Sequence, residues 1–491
     1  PTPTPTSTSG LDDYGCPITP TTPSPDGADG IGDPYLPTAG GTGYDVRHYQ
    51  IALTIDPETG AIAGTTTVTL STLTPVSQIH LDLIPRVSDV RVDDSAASSY
   101  IQSTSGDLMI DVRDDARGLP RARGETLRIT VTYAGMLDPE DPMQAGSVYR
   151  LENEWLLAEE PQGALLWFPV NDHPRDPATY HISVTVPAGV EAISAGVLES
   201  EGPSGAGGGQ HEWVWSIDSA TVSYAVPLAI GQYRLDRSTE SIGGRDVQYL
   251  SAVTERVSSI APMSTNTALK WLRETTISEA LYLVEVLGEY PASALGGIIP
   301  PQQTDWGALE TWGRPVYDPS VARYQGQGYD MSYIVRHEQA HFWFGDTVTL
   351  CEWNDIVINE GLADYFDGYL GPGTTRASAD EYFRSVYASL SRASAFWEQI
   401  ISDPGPTQDL IFSDQVYTRG GMAMHATRVL MGDEAFFRFL RDWVANPGPR
   451  SLEQWREMAQ QYTPVDLSAA HRAWFDVGEM PAATSENGYP T

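Results

Sequence analysis

The texture of the chain changes once, near residue 260, and that change limits the available folds more than any other feature. From Tyr35 or Tyr44 to about Arg245, apolar and polar residues alternate, as in Tyr49-Gln50-Ile51-Ala52-Leu53-Thr54-Ile55, in Leu127 to Tyr133 and in Tyr180 to Val186. A period of two sends successive side chains to opposite faces of a strand, and Gly, Pro, Asp and Asn clusters punctuate the runs. Residues 35–245 therefore read as one antiparallel β domain of roughly ten strands. Beyond it, Ala268-Leu269, Trp271-Leu272, Leu281, Leu283-Val284 and Val286-Leu287 keep a helical period that Gly288 and Pro291 end. Leu295–Ile299 reads as a strand, and 331–345, 359–370, 376–402 and much of 417–475 as helices. The predicted fold class is α+β and multidomain. It has a tail over 1–34, the β-rich domain, a mostly helical domain over 246–480 and a tail over 481–491.

Composition narrows the function classes. Hydrophobic residues make up 41% of the 491 and aromatics 10%, which excludes a disordered chain. Acids outnumber Lys and Arg 65 to 29, a net charge of −36. Such a surface repels phosphate backbones and anionic membranes, so no nucleic-acid partner is expected. The longest apolar runs fall short of the ~18 residues a membrane span needs. With only Cys16 and Cys351, a disulfide-dense scaffold and a thiolate zinc ribbon are both excluded; one bridge stapling the tail to the core stays open. The chain opens on Pro1 and a Pro/Thr/Ser tract over 1–9, which reads as a spacer. The expectation is a removed leader and an extracellular or surface-tethered protein. Asp26-Gly-Ala-Asp29-Gly-Ile-Gly-Asp33 has the flavour of a calcium loop but lacks a bidentate Glu, so calcium is left undecided.

The chemistry is concentrated at His337-Glu338-Gln339-Ala340-His341. On a helix, positions i and i+4 share a face, so both imidazoles can hold one ion. Glu338 lies about 100° around that helix from His337, placed for an ion-bound water rather than the ion. A catalytic zinc site takes a third protein ligand. Glu360, in Asn359-Glu360-Gly361, follows His341 after eighteen residues, enough for a return segment and a second helix. Asp364, one turn further on, is the expected hydrogen-bond acceptor for a ligand imidazole. His173, His425 and His471 have no ligand spacing and read as structural.

This combination resembles the M1 family of zinc aminopeptidases in the gluzincin clan. Three further segments carry the resemblance: Gly307-Ala308-Leu309-Glu310-Thr311, similar to the family's GxMEN motif; Tyr417-Thr418-Arg419-Gly420, similar to Tyr-x-Lys-Gly; and Glu159 to Ala164 with Trp167 to Pro174, similar to the end of the family's amino-terminal domain. The resemblance implies a thermolysin-like catalytic domain with one zinc per chain on His337, His341 and Glu360. It implies Glu338 as general base towards a metal-activated water and Tyr417 as oxyanion donor. Glu310 and Glu160 would grip the substrate's ammonium, and the backbone at Gly307 and Ala308 would face the peptide. The implied substrates are peptides with a free amino terminus; an open-site endopeptidase and a non-catalytic peptide-binding protein are the alternatives. Leu309, Thr311 and Arg419 depart from the family pattern. The chain stops some 130 residues after Glu360, without the large helical domain of many relatives, so a more open site is expected. Oligomeric state is not legible.

Overall fold

The computed structural model describes residues 10–11, 15–18, 27–114, 117–205, 207–304, 306–390 and 395–490. The Pro/Thr/Ser tract over 1–9 and the start of the calcium-like run at Asp26 lie outside them.

The alternating half folds into three sheets. The largest has eight strands, in the order Val197–Ser204, Gln210–Thr221, Ala178–Pro187, Tyr44–Asp56, Ala61–Thr72, Thr126–Met136, Arg86–Val92 and Ser95–Ala96. Its alternation is visible directly: along Tyr44–Asp56 the inward residues Tyr49, Ile51, Leu53 and Ile55 are buried and the residues between them exposed. The sheet is not wholly antiparallel, because Ala178–Pro187 runs parallel to Tyr44–Asp56, with Ile182 opposite Ile51. Sheets of four strands and three strands complete this half.

The boundary lies earlier than the alternation suggests. Tyr233–Ile242 and Arg245–Thr254 form a hairpin. Its second strand pairs in parallel with Ala294–Ile299, so the hairpin belongs to a five-stranded sheet of the second half. That sheet ends at the short strands Val316–Tyr317 and Ala308–Leu309. The helix Thr265–Leu287 packs on it, capped by the Ser264 hydroxyl accepting the Thr267 amide. Behind that helix lies Ser332–Ala340, which carries the His-Glu-Gln-Ala-His run.

The described parts of both terminal segments are anchored on the body. Asp33 is buried, its carboxylate 3.0 Å from His173 Nε2 and accepting the Trp353 amide at 2.7 Å. Tyr35 donates to Asp403 and accepts the Gly405 amide at 2.9 Å. Cys16 is joined to Cys351, with Cα atoms 5.4 Å apart. At the other end Tyr489 packs edge-on against Phe383 and Tyr387. Residues 27–36 thus tie the β domain to the helical one, and no helix among the described residues is long and apolar enough to cross a membrane.

Candidate metal centre

The helix Ser332–Ala340 is buried from Val335 onward, and its C-terminal turn brings His337 and His341 together. Their Nε2 atoms lie 3.2 Å apart. The helix Val357–Asp364 brings Glu360 to them, with Oε2 3.5 Å from His337 Nε2 and 3.3 Å from His341 Nε2. Each imidazole is held from its far side: His337 Nδ1 lies 3.0 Å from Asp367 Oδ2, and His341 Nδ1 lies 2.9 Å from the Phe344 carbonyl. Those bonds fix Nδ1 as the protonated nitrogen and leave both Nε2 lone pairs converging with a carboxylate oxygen.

Two nitrogens and one oxygen form the donor set of a catalytic zinc site. The local field agrees. Burial alone would lower the His341 pKa, yet the carboxylates of Glu310 and Glu360 raise it to about 9. The position favours positive charge, which a divalent cation on neutral imidazoles supplies.

Asp364 does not take the role expected for it. A Cβ built on Gly421 would lie 2.2 Å from Asp364 Oδ2, so this carboxylate packs on the helix Gly420–Met431. The helix beyond Asp364 widens into a π turn over Tyr365–Tyr369, and Asp367 reaches His337 from that turn. Asp367 lies seven residues after Glu360, inside the π turn, where regular helical spacing no longer says which way a side chain faces.

The donors sit in a cavity of about 490 Å³, which Glu338, Glu310, Glu160 and Tyr417 also line. Glu160 and Glu310 offer carboxylate oxygens that lie with one from Glu360 inside a 4.8 Å cluster. Burial first, and then the charge of neighbouring carboxylates including Glu360, raise the pKa of both Glu160 and Glu310. Two buried acids this close are incomplete without a cation. Glu338 is raised in the same way, by burial and then by Glu310 and Glu360, against the lowering pull of the two histidines. The Tyr417 ring lies against His337, with centroids 5.9 Å apart. Burial and the surrounding glutamates hold its hydroxyl well above its usual pKa, so it stays a proton donor.

Glycines set the spacing between the elements. A Cβ on Gly361 would lie 3.0 Å from Gly420 Cα, and one on Gly420 would lie 2.8 Å from Gly361 Cα. The Glu360 helix and the segment bearing Tyr417 therefore meet backbone to backbone, which only glycine at both places permits. Ala308 lines the cavity on the sheet's end strand. Gly307 does not present a free carbonyl, since that oxygen accepts the Asp318 amide at 2.7 Å; its φ of 82° is what calls for glycine. Arg419 points away and donates to the carbonyls of Trp397, Gln399, Ala473, Trp474 and Val477. Its departure from lysine thus concerns the scaffold. His173, His425 and His471 are buried among structural partners, as their spacing suggested. Arg336 and Arg428 are buried in ion pairs with Glu279 and Asp433.

A β-rich domain set on a helical one, with a two-histidine, one-glutamate cluster on the floor of their cavity, defines a metallopeptidase. The models of the peptidase M1 N-terminal domain and of the peptidase family M1 domain match residues 46–224 and 284–465. The chain belongs to the M1 family of zinc metallopeptidases. It is 29% identical over 226 residues to aminopeptidase N of Bos taurus, covering 42% of this chain and 21% of that protein. Glutamyl aminopeptidase of Rattus norvegicus is 25% identical over 304 residues, covering 58% of this chain and 29% of its own length. The chain spans less than a third of either curated relative. The solved M1 zinc metallopeptidase of Deinococcus radiodurans is 26% identical, with a TM-score of 0.79 over 92% of this chain and 99% of that one. A mutant of that enzyme bound to a Tyr-Ser-Ala substrate gives a TM-score of 0.78 at 26% identity, over 93% and 100% of the two chains.

Proposed function

We propose that this chain is a zinc-dependent aminopeptidase that hydrolyses the first bond of peptides with a free amino terminus. The observation that carries the reading is the pair Glu160 and Glu310, two buried carboxylates clustered with a carboxylate oxygen of Glu360. An ammonium held there stands a fixed distance from His337, His341 and Glu360, which would hold the zinc. A longer chain on the amine side has no charge to satisfy those acids. The names of its relatives, aminopeptidase N and glutamyl aminopeptidase, accord with this reading.

The bound ion supplies Lewis-acid chemistry, polarising the scissile carbonyl and activating water. The chain's own groups do the rest. Glu338 takes a proton from the attacking water and delivers it to the departing amine. Tyr417 donates its hydroxyl hydrogen to the carbonyl oxygen as negative charge develops there. Asp367 and the Phe344 carbonyl keep both imidazoles in the tautomer that leaves Nε2 free.

The Cys16–Cys351 bridge supports residence in an oxidising compartment, outside the cytosol. The test of the reading combines zinc content with turnover of free and N-acetylated aminoacyl amides. One zinc per chain and cleavage confined to free amines are expected. Glu338→Ala should retain zinc and lose ~10²–10⁴-fold in kcat, and Tyr417→Phe ~10²–10³-fold. Equal cleavage of acetylated substrates would make the enzyme an endopeptidase; bound zinc without turnover would make it a peptide-binding protein.

A further inference from the structure

Six acids line the cavity, Glu159, Glu160, Glu310, Glu338, Glu360 and Asp409, and among the described residues the only basic side chains lining it are the two metal-facing histidines. The aminopeptidase reading, on which the selectivity inferred from these acids rests, employs four of the six: Glu360 on the ion, Glu338 in the proton transfer, Glu160 and Glu310 on the ammonium. Glu159 and Asp409 take no part in that chemistry, and they come from different parts of the chain. Glu159 ends the segment leaving the strand Glu154–Leu157, and Asp409 lies in the short helix Gln408–Ile411. Gln408 joins the two segments, donating to Glu159 Oε1 and to the Glu160 carbonyl.

The same cavity also has aromatic lining. Tyr149 and Trp306 meet edge to face with centroids 6.2 Å apart, and Phe412 lines the same cavity. Glu159 is buried, and its Oε2 lies 3.8 Å from where a Cβ on Gly146 would stand, so glycine leaves room beside it. Asp409 is exposed at the mouth. Aromatic rings and carboxylates in one cavity suit a long side chain with an apolar stem and a cationic end. A neutral side chain would bring no charge to those acids, and an acidic one would be repelled.

We infer that the part of the cavity lined by Glu159 and Asp409 receives the first side chain of the substrate and selects arginine or lysine there, with these two acids determining specificity. The comparison that isolates charge from shape is arginine against citrulline, its neutral isostere, as free-amine aminoacyl amides, with norleucine set against lysine. Arginine should exceed citrulline by ~10-fold or more in kcat/KM, and glutamate should be the poorest substrate. Glu159→Gln should bring the arginine-to-citrulline ratio towards one. Asp409→Asn, on the exposed rim and safe for folding, should lower the same ratio by a smaller factor. Equal rates on arginine and citrulline in the wild type would overturn the inference while leaving the aminopeptidase standing. So would a Glu159→Gln variant that slows both substrates alike. Absence of turnover on every free-amine amide would instead remove the aminopeptidase reading, and the selectivity with it.

Discussion

At the scale of single residues, the centre depends on groups that never touch the ion. Asp367 fixes the His337 tautomer from 3.0 Å. Asp367→Asn should weaken zinc binding by ~10–100-fold, read by chelator competition on the folded protein. Asp364→Asn should leave zinc affinity nearly unchanged, because that carboxylate packs on Gly421. This pair of variants separates the two acids that sequence alone confuses. His337, His341 and Glu360 are legible because helical spacing is local and their side-chain chemistry admits few other uses. Asp367 is not, because the π turn at Tyr365–Tyr369 is a departure from helical spacing that no residue type announces. Glu159 and Asp409 escape for another reason: Gln408, which bonds to Glu159 and precedes Asp409, lies some 250 positions further along the chain.

At the scale of elements, the distance from Glu360 to Tyr417 is set by a contact between two glycines. Gly361→Ala would drive a methyl to 3.0 Å from Gly420 Cα. Backbone there cannot step aside as a flexible side chain would, so a loss of about 1–3 kcal/mol is expected, measured by the denaturation midpoint. Turnover should fall further than zinc affinity, since the displaced partner carries Tyr417 and no zinc donor. Alternation makes the strands of the first half readable. It cannot say which sheet a strand joins, and so a boundary at residue 245 cuts the hairpin Tyr233–Thr254 in two; only the parallel pairing with Ala294–Ile299 keeps it with the second half.

At the scale of the whole molecule, Cys16, Asp33 and Tyr35 fasten the start of the chain across both halves. Cys16→Ser should cost ~2–5 kcal/mol, and reductant should bring the wild type to the same midpoint. Acid should weaken the fold through histidines remote from the centre. Burial holds His425 and His471 at about 4, against about 6.5 when unfolded. Between those values the unfolded chain binds protons that the folded chain refuses, so stability rises with pH across that window and is lost as pH falls through it. Each histidine accounts for up to about 3 kcal/mol. His471→Gln should therefore show a smaller drop in Tm between pH 7 and pH 4.5 than the wild type. The bridge from Cys16 to Cys351 has one more result: it turns the entire β domain and the first zinc helix into a covalent ring. A protease that cuts a surface loop anywhere inside that ring opens it without freeing a fragment. Nicked enzyme should therefore run as one species until a reducing agent is added.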